Sequence, residues 1–205
     1  MASLYFKYAA MNSGKSTQLL QAHYNYTERG MNPVAMTAQL DDRYGEGKIT
    51  ARIGIDLPAH IFTKTTDIFD FIKELHAGNP VDALLVDEAQ FLSEAQVIQC
   101  ARVVDELDIP VMCYGLKTDF LGKLFAGSEA LVRLADNIEE IKTICWCGKK
   151  ATQTARVTPE GSIVRVGAQI AIGGNDMYVS LCRKHFMNGE AKALLPVVKK
   201  KQNVA

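Results

Sequence analysis

Long apolar runs are missing from this chain. Nothing approaches the roughly 18 consecutive apolar residues of a membrane-spanning helix, and the opening Met1-Ala2-Ser3-Leu4 lacks the basic and apolar blocks of a secretory leader. A charge excess is missing too: 23 basic and 23 acidic side chains give a formal net charge of zero. No basic block stands out before Lys199-Lys200-Lys201, so the sequence has no broad basic signature for holding a polyanion. These absences argue against a membrane partner and a nucleic-acid partner. They leave a soluble, cytoplasmic protein with small-molecule substrates as the expectation. A disulfide framework is also lacking, since only five cysteines occur in 205 residues. Cys100, in a helical-looking stretch, and Cys113, in an apolar one, read as small buried hydrophobes.

What is present begins with Tyr8-Ala9-Ala10-Met11-Asn12-Ser13-Gly14-Lys15-Ser16-Thr17, placed directly after the apolar start Leu4-Tyr5-Phe6. The segment reads as a phosphate-binding loop. Its backbone N–H groups wrap the phosphates, Lys15 reaches the β and γ oxygens, and the Ser16 hydroxyl holds Mg²⁺. Ala9 stands where the strict pattern has its first glycine, which is acceptable only with negative φ at that position. Downstream, Thr17-Gln18-Leu19-Leu20-Gln21-Ala22 opens a helix whose dipole adds to the anion site. The alternative is a strand-turn-helix junction with a chance Gly-Lys-Ser, and a strand-length segment before it and a helix after it disfavour that.

Up to about Ile141, short apolar runs alternate with helical patterns, as in a parallel α/β sheet. Val34 to Ala38, Ala83 to Asp87 and Ile109 to Tyr114 are strand candidates. Asp67 to His76 and Ser93 to Leu107 are helix candidates, with Ser93 and Gln96 forming a capping box. The polar stretch Asp41-Asp42-Arg43-Tyr44-Gly45-Glu46-Gly47 predicts a surface loop. Ala83-Leu84-Leu85-Val86-Asp87-Glu88 is an apolar strand ending in two acids, the form of a Walker B segment. Asp87 then holds Mg²⁺, usually through water, and Glu88 lies just beyond the strand as proton acceptor. Acids that merely complement a helix dipole are the alternative, and the preceding phosphate loop weighs against it.

Beyond Ile141 the texture changes to short strands and turns. Cys145-Trp146-Cys147 and Cys182-Arg183-Lys184-His185 supply the Cys₃His ligands of a closed, structural Zn²⁺ site. With all four positions filled by protein, no open coordination remains for catalysis. A unit this small often depends on its metal to fold. His23, His60 and His76 are assigned no role. The division expected is 1–141 for nucleotide binding, 142–196 for the metal module and 197–205 for a tail.

With a phosphate loop, an acidic strand end and a Cys₃His ribbon in one chain, the sequence resembles the type II thymidine kinases, the zinc-containing nucleoside kinases, in their bacterial form. Asp87-Glu88-Ala89-Gln90-Phe91, Tyr114-Gly115-Leu116, Phe120, Ile172-Gly173-Gly174 and Tyr178-Val179-Ser180-Leu181-Cys182 carry the likeness across nearly the whole chain. The resemblance implies a RecA-like P-loop domain joined to a zinc ribbon whose lasso, Gln169 to Tyr178, closes over the nucleoside. It places Ala9, Ala10, Met11, Asn12, Ser13, Gly14, Lys15 and Ser16 with Asp87, Glu88, Ala89 and Gln90 at ATP and Mg²⁺. Met11, Phe91, Leu116, Phe120, Phe125, Thr154, Gln169, Ala171 and Tyr178 fall at the nucleoside, Thr154 near the thymine methyl. Asp41 and Arg43 are candidates for a Mg²⁺ and phosphate loop. A homotetramer and feedback inhibition by dTTP are implied as well.

The reaction so implied moves the ATP γ-phosphoryl group to the 5′-hydroxyl of thymidine, with deoxyuridine as a further acceptor. A RecA or helicase-like ATPase, with Glu88 activating water and the ribbon holding nucleic acid, is the competing reading. The missing basic groove argues against it.

Overall fold

A computed structural model describes residues 1–39, 47–169 and 177–191 of the chain. Strand β1 (Leu4–Ala9) leads through α1 (Lys15–Glu28) to β2 (Pro33–Ala38). A hairpin of β3 (Lys48–Thr50) and β4 (Asp56–Pro58) follows, then β5 (His60–Phe62), α2 (Ile68–Gly78) and β6 (Ala83–Val86). Next come α3 (Glu94–Leu107), β7 (Val111–Leu116), α4 (Ala126–Leu134) and β8 (Asn137–Glu140). The remaining elements are β9 (Thr143–Ile144), β10 (Lys150–Ala151), β11 (Gln153–Arg156), β12 (Tyr178–Leu181) and α5 (Arg183–Asn188).

The main sheet has six strands among the described residues, in the order β5-β2-β6-β7-β1-β8, and every pairing is parallel. Strands buried on both faces need apolar side chains at successive positions, and all four residues of β6 are buried. Alternation still sorts the two faces. Leu4, Phe6, Val34, Met36, Leu84, Val86, Val111 and Cys113 meet α2, α3 and α4 on one side. Ala35, Ala83, Leu85 and Tyr114 meet Leu19 and Leu20 of α1 on the other. One strand, β7, separates β1 from β6, so the phosphate loop and the acidic pair emerge near one another at the carboxyl edge. This is the parallel α/β sheet that the alternating apolar runs and helical patterns predicted.

The starts of α2 and α3 follow the sequence. Asp67 caps α2 by accepting the Asp70 N–H at 2.9 Å, and Ser93 with Gln96 forms the full capping box of α3. Cys100 and Cys113 are fully buried in the same core cluster. The strands β3, β4, β5 and β8 lie outside the sequence expectation; each is only three or four residues long.

The second module is built from two antiparallel pairs, β9 with β10 and β11 with β12. Its core is a separate small cluster that includes Cys145, Ala155, Val179, Leu181, Cys182 and Phe186. No helix among the described residues is long and apolar enough to cross a membrane.

Candidate active site

The chain leaves β1 at Ala9 and turns before α1 through two left-handed residues, Asn12 at φ 61° and Gly14 at φ 83°. Glycine adopts this conformation without steric cost. Ala9 is not among the residues with positive φ, so the alanine that departs from the strict motif is accommodated. Gly14 is the N-cap of α1 and contributes no side-chain cap, and no acid occupies the first turn. The orphan amides and positive end of the helix therefore remain for an anion.

Residues 11–17, Asp87 and Glu88 line a cavity of about 250 Å³. Inside it the Ser16 hydroxyl donates to Asp87 Oδ2 at 2.9 Å. Lys15, Asp87 and Glu88 are all buried. Burial pushes the Asp87 carboxyl up to about 7, with the charge of Glu88 adding to the effect and Lys15 and the Ser16 hydroxyl opposing it. A divalent cation would relieve this shortage of positive charge. The Ser16 hydroxyl, donating to Asp87 at 2.9 Å, keeps its lone pairs for a cation, and the Asp87 carboxylate can accept from a water on that cation. The pair fits Mg²⁺.

Glu88 itself sits at φ 51°, an uncommon conformation for a non-glycine residue. Its N–H donates to Asp87 Oδ1 at 3.0 Å. The Gln90 side-chain amide donates to Glu88 Oε2, and its Oε1 accepts the Leu116 N–H at 2.9 Å. Gln90 and Ala89 are buried behind the carboxylate and do not line the cavity. The 3₁₀ turn that carries them, Ala89–Phe91, is pressed on by α4 at Gly127. A Cβ there would lie 2.6 Å from the Ala89 carbonyl and 2.7 Å from that of Leu92, so only glycine permits this approach.

Of the described residues assigned to the nucleoside, Met11 lines this cavity and the others do not. Phe91 and Phe125 pack edge to face at 5.9 Å, and buried Leu116 connects through its amide to Gln90. Phe120 lies under the Arg156 guanidinium at 3.8 Å. Gln169 donates to Asp119 Oδ2 at 3.0 Å. Thr154 Oγ1 accepts the Met11 N–H at 3.0 Å, and the Tyr178 carbonyl accepts from the Asn12 side chain at 3.3 Å. Asp41, Arg43 and Ala171 lie outside the described residues.

Sequence reasoning missed Arg156, Asp119 and the turn Thr50-Ala51-Arg52-Ile53, which lines the cavity opposite the phosphate loop. Gly54, at φ 87°, closes that turn with its N–H on the Ala51 carbonyl at 3.0 Å. Arg52 and Gly54 were the available signals. The three-residue strands beside them have no readable periodicity.

The second module gathers Cys145, Cys147, Cys182 and His185, with all ligand atoms within 4.8 Å of one another. Cys145 Sγ is 3.3 Å and Cys182 Sγ 3.5 Å from His185 Nδ1, and the Cys147 and Cys182 sulfurs are 4.0 Å apart. A tetrahedral ion with bonds of about 2.0–2.3 Å has edges close to these distances. His185 Nε2 faces Glu190 Oε2 at 3.4 Å, and the ring stacks on Trp146 with centroids 4.2 Å apart. Such outer partners fix a ligand imidazole's orientation. Burial opposes ionisation of the Cys145 thiol, yet hydrogen bonds from the Cys147 backbone, His185 and the Cys182 backbone bring it down to about 6. The group is fit to hold a metal ion.

Fold and cavity together define a P-loop nucleotide-binding α/β protein that carries a separate metal-ligand module. Its sequence matches the thymidine kinase family over residues 2–186, and the chain belongs to that family. A thymidine kinase of Aliivibrio fischeri is 54% identical over 192 residues, covering 94% of this chain and 100% of the relative. One of Shewanella oneidensis is 55% identical over 186 residues, 91% of this chain and 97% of the relative. One of Salmonella typhimurium is 49% identical over 201 residues, 98% of each. A solved DNA replication initiation factor covers 69% of this chain and 40% of its own at 17% identity and a TM-score of 0.37, too low an overlap to bear on function.

Proposed function

We propose that the chain transfers the γ-phosphoryl group of ATP to the 5′-hydroxyl of thymidine, and of deoxyuridine, giving the nucleoside monophosphate and ADP. The observation that carries the reading is the Glu88 carboxylate, fixed by Gln90 at the wall of the cavity that Lys15, Ser16 and Asp87 share. Phosphoryl transfer has a loose transition state, so positioning and charge neutralisation outweigh strong activation of the nucleophile. Lys15 and the amides at the start of α1 meet the phosphate oxygens. Ser16 and Asp87 would hold Mg²⁺, which neutralises charge on the β and γ phosphates when bound. Glu88 accepts the 5′-hydroxyl proton and aligns the attacking oxygen. Phe91, Leu116, Phe120 and Phe125 supply apolar walls for the base, with Thr154, Gln169 and Tyr178 of the ribbon beside it.

Cys145, Cys147, Cys182 and His185 would hold Zn²⁺ in a structural role, since four protein ligands leave no coordination position for substrate. Family membership supports a homotetramer inhibited by dTTP. Light scattering and inhibition by added dTTP test the two. A cytoplasmic setting and a division into 1–141, 142–196 and a tail from 197 belong to the same proposal.

Replacing Glu88 by Gln tests the assignment, because size is kept and basicity removed. The expected result is a fall in kcat of about 10²–10⁴-fold with binding of a non-hydrolysable ATP analogue nearly unchanged. Activity within a few-fold of wild type would rule the role out.

A further inference from the structure

One residue of the phosphate loop, Met11, is held from the side by the metal-ligand module. Thr154 on β11 and Ser180 on β12 are direct cross-strand partners in the antiparallel register. Thr154 Oγ1 accepts the Met11 N–H at 3.0 Å, and the Ser180 hydroxyl donates to the Met11 carbonyl. One residue further on, the Asn12 side-chain amide donates to the Tyr178 carbonyl at 3.3 Å. Both backbone polar groups of Met11 are thus taken by hydroxyls of a single strand pair, and the next residue is anchored to the same strand. Asn12 itself is left-handed at φ 61°, a conformation asparagine enters more readily than other side chains.

The pair is tied to the metal cluster through the chain itself. Ser180 is two residues from the ligand Cys182, and Thr152, beside β11, donates its N–H to the Leu181 carbonyl at 3.0 Å. Val179, Leu181 and Ala155 share one small core with Cys145 and Cys182. Whatever orders this module also orders the two hydroxyls. Thr154 is buried and accepts from the loop.

We propose that Ser180, with Thr154, is a positioning residue for the phosphate loop, so that the metal-ligand module forms part of the ATP site as well as the nucleoside site. The proposal rests on reading residues 9–16 as the loop that binds ATP. Holding the peptide units on both sides of Met11 preforms the turn that aims the amides of Ser13 to Ser16 at phosphate, which lowers the ordering cost that ATP binding would otherwise carry. It also takes the Met11 amide out of the set that meets phosphate. By linkage, a nucleoside that orders β11 and β12 tightens ATP binding, and ATP tightens nucleoside binding by the same factor.

The test is equilibrium binding of the Mg²⁺ complex of a non-hydrolysable ATP analogue to the full chain, with metal content measured on the same samples. Wild type, Ser180→Ala and Ser180→Thr are compared. Ser180→Ala is expected to weaken the analogue about three- to tenfold, the range for one lost hydrogen bond, with metal content unchanged. KM for ATP should rise while kcat at saturation stays close to wild type. Ser180→Thr, which keeps the hydroxyl, should restore tight binding. Wild-type affinity in Ser180→Ala would overturn the proposal. So would loss of metal in Ser180→Ala, or failure of Ser180→Thr to restore binding, since either would assign the effect to damaged packing. Failure of wild type to bind the analogue would instead remove the phosphate-loop reading beneath it.

Discussion

Asp87 and Glu88 are adjacent carboxylates whose surroundings separate their work. Asp87 is enclosed and bonded to Ser16, whereas Glu88 is turned by a left-handed backbone and braced by Gln90. Burial raises the Asp87 carboxyl from 3.8 to about 7. A raised carboxyl favours the folded state while it stays protonated. Its contribution is complete below about 3.8 and is lost as pH rises to about 7. In nucleotide-free protein, the melting temperature of wild type relative to Asp87→Asn should therefore fall between pH 5 and pH 8. Adding Mg·ATP should reverse the fall in wild type alone. A pH-independent difference between the two proteins would show that Asp87 is not the titrating group. The Asp-Glu pair was legible in the sequence as chemistry, but the brace was not. Gln90 could be placed near ATP from its motif, while its contact with Glu88 depends on the backbone turn between them and on the amide of Leu116 from another strand.

At the scale of elements, the turn carrying Glu88 is clamped by α4. Gly127 brings the helix so close that a methyl group on this residue would meet the carbonyls of Ala89, Leu92 and Gln90 at 2.6, 2.7 and 2.9 Å. Gly127→Ala should destabilise the protein by about 1–3 kcal/mol, the usual cost of overpacking, and lower kcat more than it raises KM for ATP. Denaturant unfolding with steady-state kinetics checks both. Wild-type stability would mean that the turn yields freely. The parallel strands and the α3 capping box could be read directly, because continuous apolar runs and the Ser93-Gln96 spacing are local signals. Helix α4 gave no such start signal, for its N-cap is Phe125, which has no side-chain acceptor. The β3–β4 turn and the Arg156–Phe120 stack arise from tertiary contact and leave no periodic trace.

Across the whole molecule, a nucleotide-binding sheet and a small metal-ligand module meet at Met11 and Asn12. The module's own core is slight, so its metal should carry much of its stability. Cys182→Ser is expected to lose bound metal, lower the melting temperature, and weaken both thymidine and ATP-analogue binding. Metal analysis and calorimetry of the purified variant check this. Retention of metal and both affinities would show that the cluster is not the module's structural support. The four ligands were legible from spacing alone, whereas the module's grip on the phosphate loop required the register of β11 with β12. On the proposed reading both modules serve phosphoryl transfer to a nucleoside. That transfer is read out by ADP release from Mg·ATP, with thymidine, deoxyuridine, deoxycytidine, deoxyadenosine or no acceptor present. Release confined to thymidine and deoxyuridine is the expected outcome. Equal release without any acceptor would refute nucleoside phosphorylation and make Glu88 an activator of water.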